Sequence, residues 1–315
     1  MSKISDYIKA IMKRSPISIR LHDHISNMRV RNALDILFFP ASACVVLGRS
    51  IMTPIAIRGG YEHSLSICAI LKDEGEYIKE WIDYHKNIIG VEHFYLYDND
   101  STDGVQVILK PYIYEGIVTY TRISGKKRQH DAYNDALNRY QRKSKFIAFI
   151  DLDEFIFTNG QDAKTWFIEN LTDKRSALAI NWVVFGSSHF LEKQSGGVLE
   201  TFLWRSKYGA EKNRHIKTIC NPRTVLGFIN AHFAVYRIGY SAITYELKTQ
   251  YGAKSDPLED GFKLFHYFTK SREEFEKKRL KGKADELSIR DEKEFEEHDF
   301  NDVYDDRMKA IWKGK

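Results

Sequence analysis

Cysteine is scarce in this sequence, with three residues in a chain of 315. Cys44, Cys68 and Cys220 are odd in number, lie far apart and include no CxxC pair. This spacing argues against a zinc ribbon and against a redox-active dithiol. A chain of this length can build a stable hydrophobic core without disulfide bonds. A reducing, cytoplasmic setting is therefore expected.

Long apolar runs and a strong excess of one charge are also lacking. The longest apolar run, residues 36–48, contains Pro40 and is too short to span a bilayer as a helix. The first residues lack the layout of a secretory signal, so no transmembrane helix is predicted. The 48 Lys and Arg residues are spread among 43 Asp and Glu residues. No nucleic-acid-binding arm stands out, and nucleic acid is not expected as a partner.

Residues 1–60 form a leader with a composition of its own. Basic residues outnumber acidic ones in its first half, and an apolar stretch follows. Two interpretations fit this pattern. One is a basic amphipathic segment that makes peripheral contact with the inner face of a membrane, and the other is a helix that packs on the main domain. The second is favoured, because apolar stripes usually face a core.

From residue 64 onward, apolar strands alternate with helical patterns. After the first strand, apolar residues recur at i, i+3, i+4 and i+7 up to Gly90, where a helix would end in the left-handed conformation. Such alternation implies right-handed crossovers and a mostly parallel sheet, which binds ligands at the carboxyl ends of its strands. The predicted strands are 65–71, 93–97, 117–121 and 145–150, and the predicted helices are 78–89, 105–114 and 132–140.

Acidic residues collect where three of these strands end. Asp151 and Asp153 directly follow the fourth strand, which is apolar from residue 146 to residue 150 and is therefore expected to be buried. Carboxylates at i and i+2 past a strand can face one cavity, and such hard oxygen ligands suit Mg²⁺ or Mn²⁺ together with substrate phosphates. A calcium-binding EF-hand loop is excluded, because Phe155 and Ile156 stand where that loop needs a third ligand and a glycine.

Three blocks resemble, in order and spacing, the family 2-like and family 92-like glycosyltransferases of the GT-A fold. They are a Lys-Asp-Glu-Gly block within residues 71–81, an Asp-Asn-Asp-Ser-Thr-Asp-Gly loop within 97–104 and an Asp-x-Asp-Glu-Phe block at 151–155. The likeness extends over most of residues 64–283. It implies an α/β GT-A domain with a mostly parallel, Rossmann-like sheet flanked by helices. We assign this domain to residues 61–270, with a basic and apolar extension at 1–60 and a charged helical extension at 271–315.

The resemblance also implies roles for individual residues. A divalent cation would be held by Asp151, Asp153 and His266, and Trp182 would stack on an acceptor sugar. Structural alternatives stay open: a turn at 98–104, a solvated Arg128, and core packing for Trp182 and His266. The residues that would contact the nucleotide-sugar donor are Lys72, Asp73, Glu74, Asp98, Asn99, Arg128, Gln129, Asn134, Asp151 and Lys217.

The sequence thus predicts a metal-dependent glycosyltransferase that moves a sugar to a glycan or lipid-linked acceptor. By resemblance, inversion of configuration and a place in surface-polysaccharide synthesis are expected. Three residues are candidates for the general base, Glu154, Glu211 and Asp256. A phosphotransferase with Asp151 as nucleophile is disfavoured, because Phe155 stands where that motif has Thr or Val. A non-catalytic nucleotide-sugar-binding module remains the other alternative.

Overall fold

A computed structural model describes residues 4–57, 60–172, 174–281 and 290–314. In these ranges the chain forms strands, α-helices and two short helical turns of other types. These are a π-helical turn at His85–Ile89 and a 3₁₀ turn at Glu211–Arg214. The strands are β1 (His63–Leu71), β2 (His93–Asp98), β3 (Val118–Arg122), β4 (Ser144–Phe149), β5 (Glu154–Phe157), β6 (Arg175–Val184), β7 (Trp204–Arg205), β8 (Ile216–Cys220), β9 (Val225–Phe228), β10 (Ala234–Tyr236), β11 (Ser241–Ile243), β12 (Thr249–Gln250), β13 (Lys263–His266) and β14 (Val303–Tyr304). The helices are α1 (Ile4–Arg14), α2 (Pro16–His24), α3 (Met28–Leu37), α4 (Phe39–Met52), α5 (Ile78–Tyr84), α6 (Val105–Tyr114), α7 (Gln129–Tyr140), α8 (Ala163–Asn170), α9 (Val198–Thr201), α10 (Arg272–Lys281), α11 (Lys293–Glu296) and α12 (Arg307–Lys313).

Among the described residues, a sheet of ten strands forms the centre of the fold, in the order β12-β11-β6-β8-β4-β1-β2-β3, with β13 also paired to β6 and β5 paired to β13. β1 is parallel to β2 and β4, and β2 is parallel to β3. β8 is antiparallel to both of its neighbours, β4 and β6. The predicted α/β class with a mostly parallel sheet is confirmed.

The sheet separates two hydrophobic cores. Successive side chains of a strand point to opposite faces, so β1 sends Leu65 and Ile67 into one core and Cys68 and Ile70 into the other. The first core includes apolar residues of α5, α6 and α8, whereas the second includes those of α7. Because helices cover both faces, β1, β2 and β4 are apolar almost throughout.

The predicted elements of this half of the chain are present. The predicted helix at 78–89 is α5 continued by the π-helical turn, and Gly90 ends it with a φ of 77°. The predicted helix at 105–114 coincides with α6, and α7 begins three residues earlier than the predicted 132–140. The four predicted strands correspond to β1 to β4.

The leader is helical and packs on the domain. Ala10 and Ile11 of α1 form a small core with Val46 of α4, Leu226 of β9 and Val235 of β10. Among the described residues no single helix is both long and apolar enough to cross a bilayer. The consecutive helices α3 and α4 reach the required length and apolar composition only when they are taken together. They are bent by 67° at their junction.

A buried ionic network also ties the leader to α7. His22 of α2 lies 3.3 Å from Asp35 of α3 and 3.1 Å from Asp131 of α7. Arg128 pairs with Asp131 at 2.7 Å and with Asp23 at 2.8 Å. Burial alone would lower the pKa of His22, but its hydrogen bonds to Asp131 and Asp35 outweigh burial and raise that pKa to about 9.

The free energy of unfolding is therefore expected to fall in mildly alkaline solution. The raised pKa of His22 stabilises the folded state fully below pH 6.5, and this contribution is lost as the pH rises through about 9. After allowance for partial solvent screening, we expect a loss on the order of 2 kcal/mol. Urea unfolding at a series of pH values measures it.

The variant His22→Gln should be less stable near neutrality and should lose most of this pH dependence. His24, at the exposed end of the same helix, supplies the matched control, since His24→Gln should keep the pH dependence of the unaltered protein. Parallel pH profiles for His22→Gln and the unaltered protein would contradict the assignment.

Candidate active site

Asp151 lies just past the carboxyl end of β4 and is held by three donors. Gln129 Nε2 and Tyr133 Oη donate to Asp151 Oδ1 at 2.7 and 3.2 Å, and Lys217 Nζ donates to Oδ2 at 2.7 Å. Gln129 and Tyr133 are four residues apart on α7 and so share one face of the helix. Lys217 reaches the same carboxylate because the antiparallel register places Thr218 of β8 opposite Phe149 of β4. About a third of the Asp151 side chain, 32%, stays exposed.

Asp153 forms the second half of the acidic pair. Lys278 Nζ of α10 donates to Asp153 Oδ2 at 2.6 Å and to the Phe268 carbonyl oxygen at 2.8 Å. His266 Nε2 lies 3.5 Å from the same Oδ2. Burial would raise the pKa of Asp153, but the charge of Lys278 and the contact with His266 outweigh burial and hold it well below its usual range. Asp153 is therefore ionised at neutral pH.

Strand pairing explains how His266 reaches this turn. β13 runs antiparallel to β5, with His266 opposite Glu154, and parallel to β6, with His266 opposite Val184. The backbone N–H of Tyr267 donates to the Asp153 carbonyl at 2.8 Å, which fastens the end of β13 to the turn. The structure thus brings His266 to Asp153, as predicted. Among the described residues, however, Asp151, Asp153 and His266 do not converge as a set of three that could hold a metal, so the three-residue ligand set stays a prediction.

Glu154 lies beneath the acidic pair and is fully buried. Its carboxylate accepts the Asp151 backbone N–H at 2.8 Å and the Trp182 indole N–H at 2.7 Å, and Lys217 Nζ lies 3.7 Å away. Complete burial raises the pKa of Glu154 to about 8, against the opposing effect of Lys217. A sealed carboxylate cannot reach an acceptor hydroxyl, so the structure contradicts a role as general base. Glu154 instead braces the turn that carries Asp151.

Trp182 is nearly buried at the same edge. Its ring centroid lies 4.3 Å from that of His266, 5.0 Å from His215 and 5.2 Å from His232. The Nδ1 atoms of His215 and His232 lie 3.1 Å from the Lys212 and Ile216 carbonyl oxygens, so Nδ1 carries the proton in each ring. Three imidazoles thus cover much of the Trp182 ring, which favours the packing alternative, and acceptor stacking stays a prediction.

The Lys-Asp-Glu block after β1 is bonded to the loop after β2. Asp73 Oδ1 accepts the Thr102 backbone N–H at 2.6 Å, and the Gly75 N–H donates to Asp103 Oδ2 at 2.7 Å. Glu74 lies 3.6 Å from Lys281 of α10. Lys72 is exposed and makes no hydrogen bond or ion pair within the described part of the chain. Asp73 therefore joins two loops, whereas the Lys72 side chain is available to a ligand.

The loop after β2 is itself internally bonded. Asp98 accepts the Ser101 backbone N–H at 2.9 Å and the Tyr120 hydroxyl, and Asn99 donates to the Ile123 and Gly125 carbonyl oxygens at 2.8 Å. The turn alternative for 98–104 is thus correct as a description of the backbone. The predicted contacts of Asp98 and Asn99 with a nucleotide stay predictions.

The structure contradicts the predicted donor contacts of Arg128 and Asn134. Arg128 is fully buried and is engaged by Asp23, by Asp131 and by the carbonyl oxygens of Ser124 and Ile19. Asn134, also fully buried, exchanges two hydrogen bonds of 2.9 Å with the backbone of Phe228 in β9. Both side chains hold the fold together on the far side of α7, and their polar groups are already occupied.

The two remaining candidates for the general base lie in a surface ion-pair cluster. Glu211 pairs with Lys254 at 2.9 Å and with Arg214 at 3.7 Å. Asp256 pairs with Arg214 at 3.1 Å and is largely exposed. Among the described residues neither carboxylate makes a hydrogen bond or ion pair with the acidic pair or with Lys217. The structure does not bring Glu211 or Asp256 into the site.

The residues at this edge fit a divalent cation. Asp153 and His266 offer a carboxylate oxygen and an imidazole nitrogen 3.5 Å apart, and the ammonium of Lys278 stands in for a cation at Asp153 Oδ2. Across the described ranges no three carboxylates, histidines or cysteines converge on one point. Mg²⁺ and Mn²⁺ tolerate such a sparse protein shell, because substrate phosphates and water supply their remaining ligands.

Comparison with known proteins places this chain among the glycosyltransferases. A family model described as glycosyltransferase family 92 matches residues 62–296. The chain belongs to glycosyltransferase family 92, and the predicted resemblance is confirmed.

Three relatives illustrate the match. A family 92 protein of rice, Oryza sativa subsp. japonica, is 29% identical over 113 residues, which are 36% of this chain and 19% of that protein. A family 92 protein of Ricinus communis is 28% identical over 176 residues, 52% of this chain and 29% of its own length. A galactan beta-1,4-galactosyltransferase of Arabidopsis thaliana is 39% identical over 95 residues, 27% of this chain and 18% of its own length. The matched segments span less than a third of these relatives.

Solved structures show a partial likeness. TarS 1–349 of S. aureus has a TM-score of 0.35 at 16% identity, covering 50% of this chain and 47% of that chain. A mannosyltransferase of Pyrobaculum calidifontis, solved with GDP-Man and Mn²⁺, has a TM-score of 0.30 at 17% identity, covering 47% of this chain and 45% of that chain.

Proposed function

We propose that this chain transfers a sugar from a nucleotide-sugar donor to a hydroxyl acceptor, and that the turn at Asp151 and Asp153 binds the donor diphosphate through a divalent cation. One observation carries the proposal. Two ionisable aspartates stand at the carboxyl edge of a parallel sheet, each neutralised by one lysine and each still partly exposed. Charged side chains gathered at the carboxyl edge of such a sheet are candidates for a ligand-binding site.

Different residues would orient Asp151 and bind the cation at this edge. Gln129, Tyr133 and Lys217 fix the orientation of Asp151, and Glu154 holds its backbone from below. Asp153 and His266 would hold Mn²⁺ or Mg²⁺, which when bound would neutralise the charge that develops on the leaving diphosphate. Direct attack of the acceptor hydroxyl on the anomeric carbon forms the new C–O bond with inversion. The C–O bond to the diphosphate breaks with its electron pair on the diphosphate, and the proton of the hydroxyl passes to solvent.

Galactose is the first sugar to test. The galactan beta-1,4-galactosyltransferase of Arabidopsis thaliana matches 27% of this chain, and hexosyl transfer to a glycan is the corresponding proposal here. Fine specificity depends on a few contacts in the pocket, and hydrogen-bonding groups discriminate between sugars more sharply than apolar ones do. The donor is therefore best found by a binding screen.

Thermal unfolding in the presence of Mn²⁺ and a panel of nucleotide sugars tests the proposal. A specific donor at about one hundred times its Kd should stabilise the folded state by about 2.7 kcal/mol through mass action. The stabilisation should require Mn²⁺ and donor together and should vanish with a chelator. The stabilising donor should then be turned over with release of free nucleoside diphosphate.

Other outcomes would support the alternatives. Stabilisation by a donor without any release of nucleoside diphosphate would indicate a non-catalytic nucleotide-sugar-binding module. Metal-dependent phosphatase activity without donor turnover would favour the phosphotransferase. Failure of every nucleotide sugar to shift the unfolding temperature in the presence of Mn²⁺ would overturn the proposal.

A further inference from the structure

The helices α3 and α4 expose an unusual amount of apolar surface. Of the eighteen large hydrophobic side chains that are exposed in the described ranges, six lie in these two helices, between residues 28 and 52. We call these six side chains the α3–α4 apolar surface. It consists of Val30, Ile36 (68% exposed), Leu37 (68%), Leu47, Ile51 (81%) and Met52 (77%). Folded proteins rarely leave such a cluster in water unless a partner covers it.

The geometry of the two helices suits the surface of a bilayer. Together they have the length and apolar composition of a membrane segment, but the bend of 67° at Phe38 prevents a straight crossing. Two faces of α4, about 100° apart around the helix, differ in burial. Ser42, Val46 and Ser50 are buried against the domain, whereas Leu47 and Ile51 point away from it. An amphipathic element of this kind lies in the interface, with its apolar face entering the acyl boundary.

A pocket rich in arginine opens beside this surface. Its volume is about 450 Å³, and five arginines line it against two aspartates, with Arg49 of α4 shared between the pocket and the helix pair. The guanidinium groups of Arg20 and Arg49 make no hydrogen bond or ion pair with any other described residue. The charged residues of the pocket are Arg20, Arg49, Arg122, Arg128, Arg139, Asp23 and Asp135.

The other three arginines of the pocket are paired with aspartates, Arg122 with Asp100, Arg128 with Asp23 and Asp131, and Arg139 with Asp135. Arg20 and Arg49 are left to bind a phosphate group, because guanidinium groups bind phosphate oxygens in bidentate fashion. A second copy of the chain is a poor occupant of the whole surface, since a two-fold interface would bring two arginine-rich flanks together. A layer of anionic phospholipid satisfies both features at once, with acyl chains for the apolar side chains and phosphates for the arginines.

We propose that the α3–α4 apolar surface and the adjoining arginine-lined pocket dock this protein on an anionic membrane surface. The apolar side chains enter the boundary between headgroups and acyl chains, and Arg20 and Arg49 bind lipid phosphates. The α3–α4 apolar surface, Arg20 and Arg49 lie in the leader, outside residues 62–296 that the family model matches, whereas the other three arginines of the pocket lie inside that region. It is independent of the identity of the donor sugar.

Co-sedimentation of the full chain with lipid vesicles tests the proposal. Vesicles of phosphatidylcholine with roughly a third phosphatidylglycerol should bind the protein, and vesicles of phosphatidylcholine alone should bind it at least about tenfold more weakly. Raising the salt concentration should weaken binding to the anionic vesicles, because the contribution of the arginines is screened.

Two double variants separate the apolar and the basic contributions. Leu37→Glu with Ile51→Glu, and Arg20→Glu with Arg49→Glu, should each weaken binding to anionic vesicles by about tenfold or more. All four side chains are exposed, so the unfolding temperature should stay close to that of the unaltered protein. The matched controls are Ile238→Glu and Arg142→Glu, which change exposed residues outside the leader and should leave binding within about twofold.

Three results would overturn the proposal. The first is failure of the unaltered protein to bind anionic vesicles. The second is a dimer, detected by light scattering, that the double variant Leu37→Glu with Ile51→Glu dissociates, because a second copy would then cover the surface. The third is stabilisation by inorganic phosphate with no vesicle binding, which would make the pocket a site for a free anion.

Discussion

Replacement of Asp153 by asparagine should reduce release of nucleoside diphosphate from the donor by a factor on the order of 10²–10³. The substitution keeps the shape of the side chain but removes the charge that Lys278 and His266 engage. An amide cannot neutralise a cation, so the diphosphate would leave without charge stabilisation at this edge. Turnover is measured with the donor identified by thermal unfolding, at saturating Mn²⁺ and at a temperature where both proteins are folded.

The matched control is Asp256→Asn, at an aspartate of the same chemistry on the surface. Asp256 pairs with Arg214 and is one of the predicted candidates for the general base. Because the structure does not bring it into the site, its loss should change turnover by no more than about twofold. Equal losses for Asp153→Asn and Asp256→Asn would show that the acidic turn has no special role. A large loss for Asp256→Asn alone would restore Asp256 as the base.

The part of the domain from β1 to β4 could be predicted from the sequence, because its strands and helices are long and buried. β1, β2 and β4 are apolar over four or more consecutive residues, and α6 and α7 repeat their apolar positions at helical spacing. The position of Asp151 and Asp153 followed from the same pattern, since charged residues directly after a buried strand must lie at its carboxyl edge. The carboxyl edge of the sheet could therefore be predicted as the ligand-binding site without information on side-chain contacts.

The later strands gave no comparable signal. β7, β10, β11, β12 and β14 are only two or three residues long. No periodicity can be detected over such lengths, and pairing between distant segments decides their structure. His266 could be proposed only from its neighbours in sequence, whereas its approach to Asp153 depends on β13 pairing with both β5 and β6.

Long polar side chains were assigned least well, because sequence does not show which partner they reach. Arg128 lies one residue before Gln129, yet Gln129 bonds Asp151 while Arg128 turns to the leader and pairs with Asp23. Lys278 lies in the predicted charged extension at 271–315, outside the domain to which the site was assigned, but it reaches Asp153. Tyr133 could have been found, because it stands four residues after Gln129 on the same face of α7.

The second large effect is expected at Lys217, which is fully buried between two carboxylates. Burial would lower its pKa, but Asp151 at 2.7 Å and Glu154 at 3.7 Å outweigh burial and raise it. Lys217→Met would leave the carboxylate of Glu154 buried without a cation, and we expect the free energy of unfolding to fall by about 3 kcal/mol. Proton uptake by Glu154, whose pKa is already near 8, limits the loss. Urea unfolding measures the change.

Lys263 provides a matched control for this prediction, because it is also buried but has no carboxylate partner within hydrogen-bonding distance among the described residues. Burial lowers the pKa of Lys263 to about 8, and nearby Arg307 and Arg205 add to that effect. Lys263→Met should therefore change the free energy of unfolding by less than about 1 kcal/mol or stabilise the protein. Equal destabilisation by the two variants would mean that Lys217 contributes only its aliphatic chain. The two variants should differ because the buried cation of Lys217 neutralises the carboxylates of Asp151 and Glu154. The buried cation of Lys263 has no such partner and is therefore unfavourable.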